Sequence, residues 1–224
     1  MEELLEQVLL YVKAHDIELI EIKCYPEIYA PQQASIVSNI LDEAGFSIEY
    51  RDVTQVILLN ENLNLYSDRK RMIKGSIEHL FEFKELNLGS LPEAYDLFLK
   101  SRHSKGYPVT MSLKDFFDEF SRFPMHYKLF GVLDRDRLIA ASVVILINDE
   151  IIYYFFSGDD LDYRKQSPTT YLVYNLYQFA KKANFKFIDM GISTDKGILN
   201  QGLYNFKKSF GTVDSLKLTF IKNV

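Results

Sequence analysis

Apolar positions recur at helical spacing through residues 3–14, where Leu4, Leu5, Val8, Leu9 and Val12 share a face, and alternate as in a strand through 17–23. After Pro26 and Pro31 a second helical face follows, formed by Ile36, Val37, Ile40 and Leu41, with Gly45 placed to end it. The stretch FSIEY reads as a strand. Residues 52–59 (DVTQVILL) are β-branched and apolar enough for a buried one, and Ser67 opens a helix running to about Leu80.

From Phe81 the elements crowd together. FEFKEL alternates as a strand. SLPEAYDLFLKSRH is a helix with Ser90 at the N-cap position and Pro92 in its first turn, and SLKDFFDEFSRF is a helix capped by Ser112. Three strand patterns then follow with only DRDR and ND between them: MHYKLFGVLD, RLIAASVVILI and EIIYYFFSG. Links that short predict an antiparallel meander. A helix over 168–183 starts near Pro168. KFIDMG is a short strand, GLYNFKKSF a short helix and SLKLTFIK a closing strand. No linker-like stretch divides the chain, and the change in element density between about Leu59 and Phe81 predicts a division into residues 1–75 and 76–224.

Composition narrows the chemistry. The 224 residues carry 26 Lys and Arg against 31 Asp and Glu, a net charge of −5, so bulk charge draws the chain to neither a nucleic acid backbone nor an anionic membrane. Cys24 has no intrachain partner, and four scattered His supply no metal-ligand spacing, so no metal is expected. The acidic N-terminus is unlike a signal peptide and no apolar run approaches the ~20 residues of a membrane span, which predicts a cytoplasmic protein. His79, His103 and His126 have no nucleophile or acid at triad-like positions, and His15 closes the first helix.

The order strand, two helices, three meander strands, helix, strand, helix, strand resembles the GNAT acyltransferase fold. The ending FIDMGISTDKGILNQGLYNFKKSFG, with its D-x-G and F-K-x-x-F-G, resembles the Fem-like branch of that superfamily, which includes peptidoglycan-bridge aminoacyltransferases. The likeness covers roughly Glu82 to Phe220. The expected fold class is α/β (an α+β mixed sheet): a GNAT-like domain with a central antiparallel meander and splayed strands, preceded by a shortened second GNAT-like unit. Fem-like proteins carry two such units, and VTQVILL…SDRKRMIKGS resembles the connection between them.

The resemblance implies where chemistry would sit. The anion-binding loop of GNAT enzymes matches Arg164, Lys165, Gln166, Ser167, Pro168, Thr169 and Thr170, with backbone N–H groups and hydroxyls at the start of the central helix. Ser167 and Thr169 stand where the family has small residues, and Pro168 lacks an N–H. Ser157 and Gly158 mark the expected bulge or turn where the strand over 151–157 parts from FKFIDMG to make a slot for a pantetheine arm. Asp189 would orient an amine or brace the following loop. Phe206 occupies the usual place of a general-acid Tyr, leaving Tyr204 as a substitute. Lys207, in F-K-x-x-F-G, would contact a phosphate or the acyl carbonyl.

Three functions follow in order. The first is an N-acyltransferase moving an acyl group from acetyl-CoA or another acyl-CoA to a primary amine of a small molecule, amino sugar or cell-wall precursor. The second is a non-catalytic GNAT-like binding module, consistent with the altered loop and Phe206. The third is a Fem-like transferase using aminoacyl-tRNA.

Overall fold

The structure is a computed structural model that describes residues 2–224. The chain forms two compact units, and they do not divide at residue 75. One consists of residues 1–55, 192–205 and 214–224, the other of 56–191 and 206–213. The chain returns because its closing strand pairs with the first strand of the N-terminal region, a long-range pairing invisible to element density.

In the first unit, α1 (Glu2–Ala14) leads to β1 (Leu19–Lys23), α2 (Pro31–Glu43) and β2 (Ser47–Leu58). The two strand patterns at FSIEY and 52–59 are one strand of 12 residues. Gly45, at φ +78°, makes the left-handed turn out of α2. The strand order is β1, β10 (Val213–Asn223), β2, with β1 antiparallel to β10. Leu41, Phe46, Leu218 and Phe220 close the core between α2 and these strands. A small hairpin, β8 (Thr194–Asp195) and β9 (Ile198–Leu199), is pinned to β2: Asp52 accepts from the Thr194 hydroxyl at 2.7 Å and the Gly197 N–H at 3.0 Å.

The second unit holds α3 (Ser67–Glu78), β3 (Glu82–Leu86), α4 (Leu91–His103), α5 (Leu113–Arg122), β4 (Tyr127–Asp134), β5 (Arg137–Leu146), β6 (Ile151–Asp159), α6 (Pro168–Lys182) and β7 (Phe187–Ile192). Its strand order is β7-β6-β5-β4-β3, antiparallel except for the parallel pair β6 and β7. One apolar cluster packs α3 and α6 on the sheet through Ile73, Leu172, Leu176, Ile139 and Ile152. The other packs α4 and α5 through Leu97, Phe98, Phe116, Leu129 and Val143. Ser112 and Asp115 form a reciprocal capping box on α5. Ser90 takes the N-cap position of α4 but makes no side-chain cap bond.

Candidate functional site

β6 and β7 begin side by side and then part. Their parallel pairing covers only Ile151 with Phe187, Ile152 with Ile188 and Tyr153 with Asp189. Beyond Tyr153, β6 continues to Asp159 paired only to β5, so a gap opens between β6 and β7 at their carboxyl ends. The irregularity in β6 lies at Phe155, not at Ser157–Gly158: Val143 faces Phe156 and Val144 faces Tyr154, leaving Phe155 as an extra residue. This bulge reverses the strand's phase. Tyr154 therefore packs with α6 and Phe156 with α4 and α5, two residues apart yet on opposite faces. Ser157 and Gly158 remain paired to Ser142 and Ala141. Gly158 is glycine for another reason, because a Cβ there would stand 2.6 Å from the Leu97 carbonyl oxygen of α4.

Asp189, Gly191 and Lys207 meet at the gap. Gly191 has φ +76°, and this left-handed turn lets its two backbone groups take different partners. Its N–H donates to the Asp189 carboxylate at 2.7 Å, and its carbonyl accepts from the Lys207 ammonium at 2.8 Å. Both side chains are buried, at 2% and 5% exposure, on β7 and on α7 (Gln201–Lys208). Burial pushes the Lys207 ammonium down to about 8, against the pull of the Asp189 charge. Tyr153 lies against the same glycine, its ring 3.4 Å from where a Gly191 Cβ would stand. Burial and Asp189 push its hydroxyl up to about 12.

The loop before α6 bonds several of its own amides. Gln166 N–H donates to Tyr163 O, Ser167 N–H to Tyr163 O and Arg164 O, and Thr170 N–H to Ser167 O, while Pro168 has no N–H. Ser167 itself is left-handed, at φ 51°. Its hydroxyl pairs with that of Thr170 at 2.8 Å, and Thr170 is fully buried. Thr169 is half-buried, and the Gln166 amide oxygen is buried with no partner among the described residues. Arg164 turns the other way, hydrogen-bonding the Ser104 hydroxyl just beyond the C-terminal end of α4. That end carries Lys100, Arg102 and His103, with Lys105 just beyond. Arg102 leans over Phe156 at 4.1 Å, next to Tyr153.

Arg69 has no motif of its own in the sequence and organises much of this region. From α3 its guanidinium donates to the Ser209 hydroxyl at 2.7 Å and the Thr170 hydroxyl at 3.0 Å, and it covers the Phe206 ring at 5.0 Å and the Phe210 ring at 5.7 Å. Only its place in the run SDRKRM hinted at it. Tyr204 takes a different partner. Its hydroxyl donates to the Asp214 carboxylate at 2.8 Å within the first unit.

Residues 131–216 match the profile of the FemAB family. The whole chain superposes on the crystal structure of FemX with a TM-score of 0.78 at 14% identity, covering 99% of this chain and 76% of that one. The chain has a GNAT-like fold. L-PGS from Bacillus licheniformis superposes with a TM-score of 0.70 at 10% identity, over 96% of this chain and 71% of its own. A tandem GNAT protein from the clavulanic acid biosynthesis pathway gives 0.56 at 10% identity, over 95% and 66%. No curated protein matches this chain in sequence.

Among the described residues no group of three or more His, Cys, Asp and Glu is gathered to hold a metal ion, and no helix is long and apolar enough to cross a membrane. The acids near β6 are engaged in bracing: Asp159 accepts from the Ser101 hydroxyl, Asp160 pairs with Arg137, and Glu150 pairs with Lys186.

Proposed function

We propose that this chain transfers an activated acyl group to an amine, with the reacting carbonyl held where β6 and β7 part. The observation that carries this reading is the buried Lys207 ammonium fixed on Gly191 at that gap. The amine nitrogen attacks the acyl carbonyl, a C–N bond forms, and the C–O or C–S bond to the carrier breaks. The nitrogen gives up one proton and the departing oxygen or sulfur takes one. Negative charge collects on the carbonyl oxygen in between, and an ammonium in a dry gap stabilises it far more than water would. Asp189 is a positioning residue, because it holds the Gly191 N–H and so the carbonyl on which Lys207 rests. Tyr204 donates to Asp214 and receives no acid role here.

The donor is an aminoacyl ester on tRNA. A pyrophosphate such as that of acyl-CoA needs outward-facing amides at the start of α6, and the Gln166, Ser167 and Thr170 N–H groups are bonded within the loop. The basic residues in the last turn of α4, with Arg164 bonded just beyond them, suit an extended phosphate backbone instead. The FemAB match agrees with this choice, whereas acetyl-CoA or another acyl-CoA remains the natural comparison on a GNAT fold. The test supplies labelled aminoacyl-tRNA or labelled acetyl-CoA together with hydroxylamine as a small nucleophile. Discharge of the aminoacyl-tRNA that Lys207→Met abolishes supports the reading. Discharge of acetyl-CoA alone replaces the donor, and discharge of neither makes the chain a binding module.

A further inference from the structure

β1 ends its sheet: β10 pairs with it on one side, and no strand among the described residues lies on the other. Along an antiparallel pair, the residues that exchange backbone hydrogen bonds alternate. The Cys24 N–H donates to Leu218 O at 2.9 Å and the Val224 N–H to Glu18 O at 3.0 Å, so the even-numbered residues of β1 carry the bonds to β10. The N–H and C=O groups of Leu19, Glu21 and Lys23 therefore point out along the free edge. Tyr25, kept extended by Pro26 after it, continues the same phase. The side chains of Leu19, Glu21, Lys23 and Tyr25 are exposed and, two residues apart, share one face. Ile20, Ile22 and Cys24 take the other face and pack on the core of Leu41, Phe46, Leu218 and Phe220.

An open edge with free backbone groups accepts another strand. When that strand is a second β1 running antiparallel, the outward groups meet only if odd-numbered residues stand opposite odd-numbered ones. Registers centred on Glu21 or on Lys23 set like charges face to face, which destabilises a strand pair. The register centred on Ile22 does the opposite. It places Glu21 across from Lys23 of the second copy, Lys23 across from its Glu21, and Leu19 across from its Tyr25. Acid meets base and apolar meets apolar, and the twofold axis makes each contact twice. We propose that β1 is a self-association surface, on which two copies of this chain pair their β1 strands antiparallel about Ile22 and join two sheets into one. The pairing does not depend on the acyl-transfer reading.

Sedimentation of the full chain over a concentration series tests the association. The native chain is expected to show a monomer–dimer equilibrium. Glu21→Lys and Lys23→Glu each set like charges across both contacts and are expected to weaken the dimer about tenfold, whereas Glu21→Lys/Lys23→Glu restores it. Cross-linking reads the register. Residues opposite one another in a pair without hydrogen bonds have Cα atoms about 4.5 Å apart, within disulfide reach. Ile22→Cys/Cys24→Ser is expected to form an interchain disulfide on oxidation, and Ile20→Cys/Cys24→Ser is not. Should the Ile22 variant not fold, the charge reversals decide alone. A monomer at every concentration, single reversals that leave the dimer intact, a double reversal no better than the singles, or cross-linking through Ile20 in place of Ile22 would overturn the proposal.

Discussion

Lys207 and Gly191 hold one another across the end of the gap: the ammonium of one donates to the carbonyl of the other at 2.8 Å, and the glycine offers that carbonyl because its φ is +76°. The ammonium is thereby kept in a buried place where it titrates at about 8, far below an ordinary lysine.

Removing that charge is the sharpest perturbation of the chemistry. Lys207→Met is expected to lower acyl transfer about 10²-fold or more, the usual scale for deleting a group that stabilises a developing oxyanion. The effect should fall on kcat. In the native chain kcat/KM is expected to decline as pH rises through about 8, as the ammonium of the free protein is lost, and a pH profile of kcat/KM checks this.

The same shift predicts a stability effect of definite sign. Between about 8 and the ordinary lysine value of 10.5, the unfolded chain binds a proton at Lys207 that the folded chain lacks. Stability therefore gains a contribution that rises with pH across that window, and below about 8 the full cost of burying the ammonium is present. Urea unfolding of native protein and Lys207→Met at several values between pH 8 and 10.5 should show the native curve climbing relative to the variant.

Gly158→Ala tests the packing of β6 under α4. The added Cβ would stand 2.6 Å from Leu97 O and 2.8 Å from Phe98 N, both backbone atoms that cannot step aside. A loss of about 1–3 kcal/mol is expected, read as a lower midpoint in denaturant. Gly191→Ala has more room, with Tyr153 at 3.4 Å, but its left-handed backbone costs a further ~1 kcal/mol and would move the carbonyl on which Lys207 rests.

Arg69→Met removes two charge-assisted hydrogen bonds and the cover over Phe206 and Phe210. A loss of roughly 2 kcal/mol is expected from the hydrogen bonds. Because α7 also carries Lys207, transfer should drop as well, and Arg69→Lys should recover the charge without the fork that reaches both hydroxyls.

Regular elements were legible because their signals are local. The periodic faces of α1, α2 and α6, the capping box opening at Ser112 and the short links of the β4-β5-β6 meander can all be read from neighbouring residues. What could not be read depends on distant partners. The run IIYYFFSG gives no sign that Phe155 is the bulged residue, since an all-apolar strand hides its own phase. Gly158 looks like a strand-end turn until α4 is laid across it. The hairpin of β8 and β9 exists because Asp52, some 140 residues earlier, holds it. Lys207 and Asp189 are marked as candidates by the likeness of F-K-x-x-F-G and D-x-G to a family, whereas Arg69 sits in a run of basic residues on a polar helix and only its tertiary contacts distinguish it.

The most direct measurement follows the Lys207 side chain by NMR, using lysine labelled with ¹³C at the ε position. The Lys207 signal is identified by its loss in Lys207→Met and should titrate near pH 8. An aminoacyl-adenosine analogue with an amide in place of the ester is then added. The account predicts that this signal moves and that its midpoint rises, because a carbonyl oxygen accepting from the ammonium favours the charged form. An analogue that binds while the Lys207 signal and its midpoint stay where they were would contradict it.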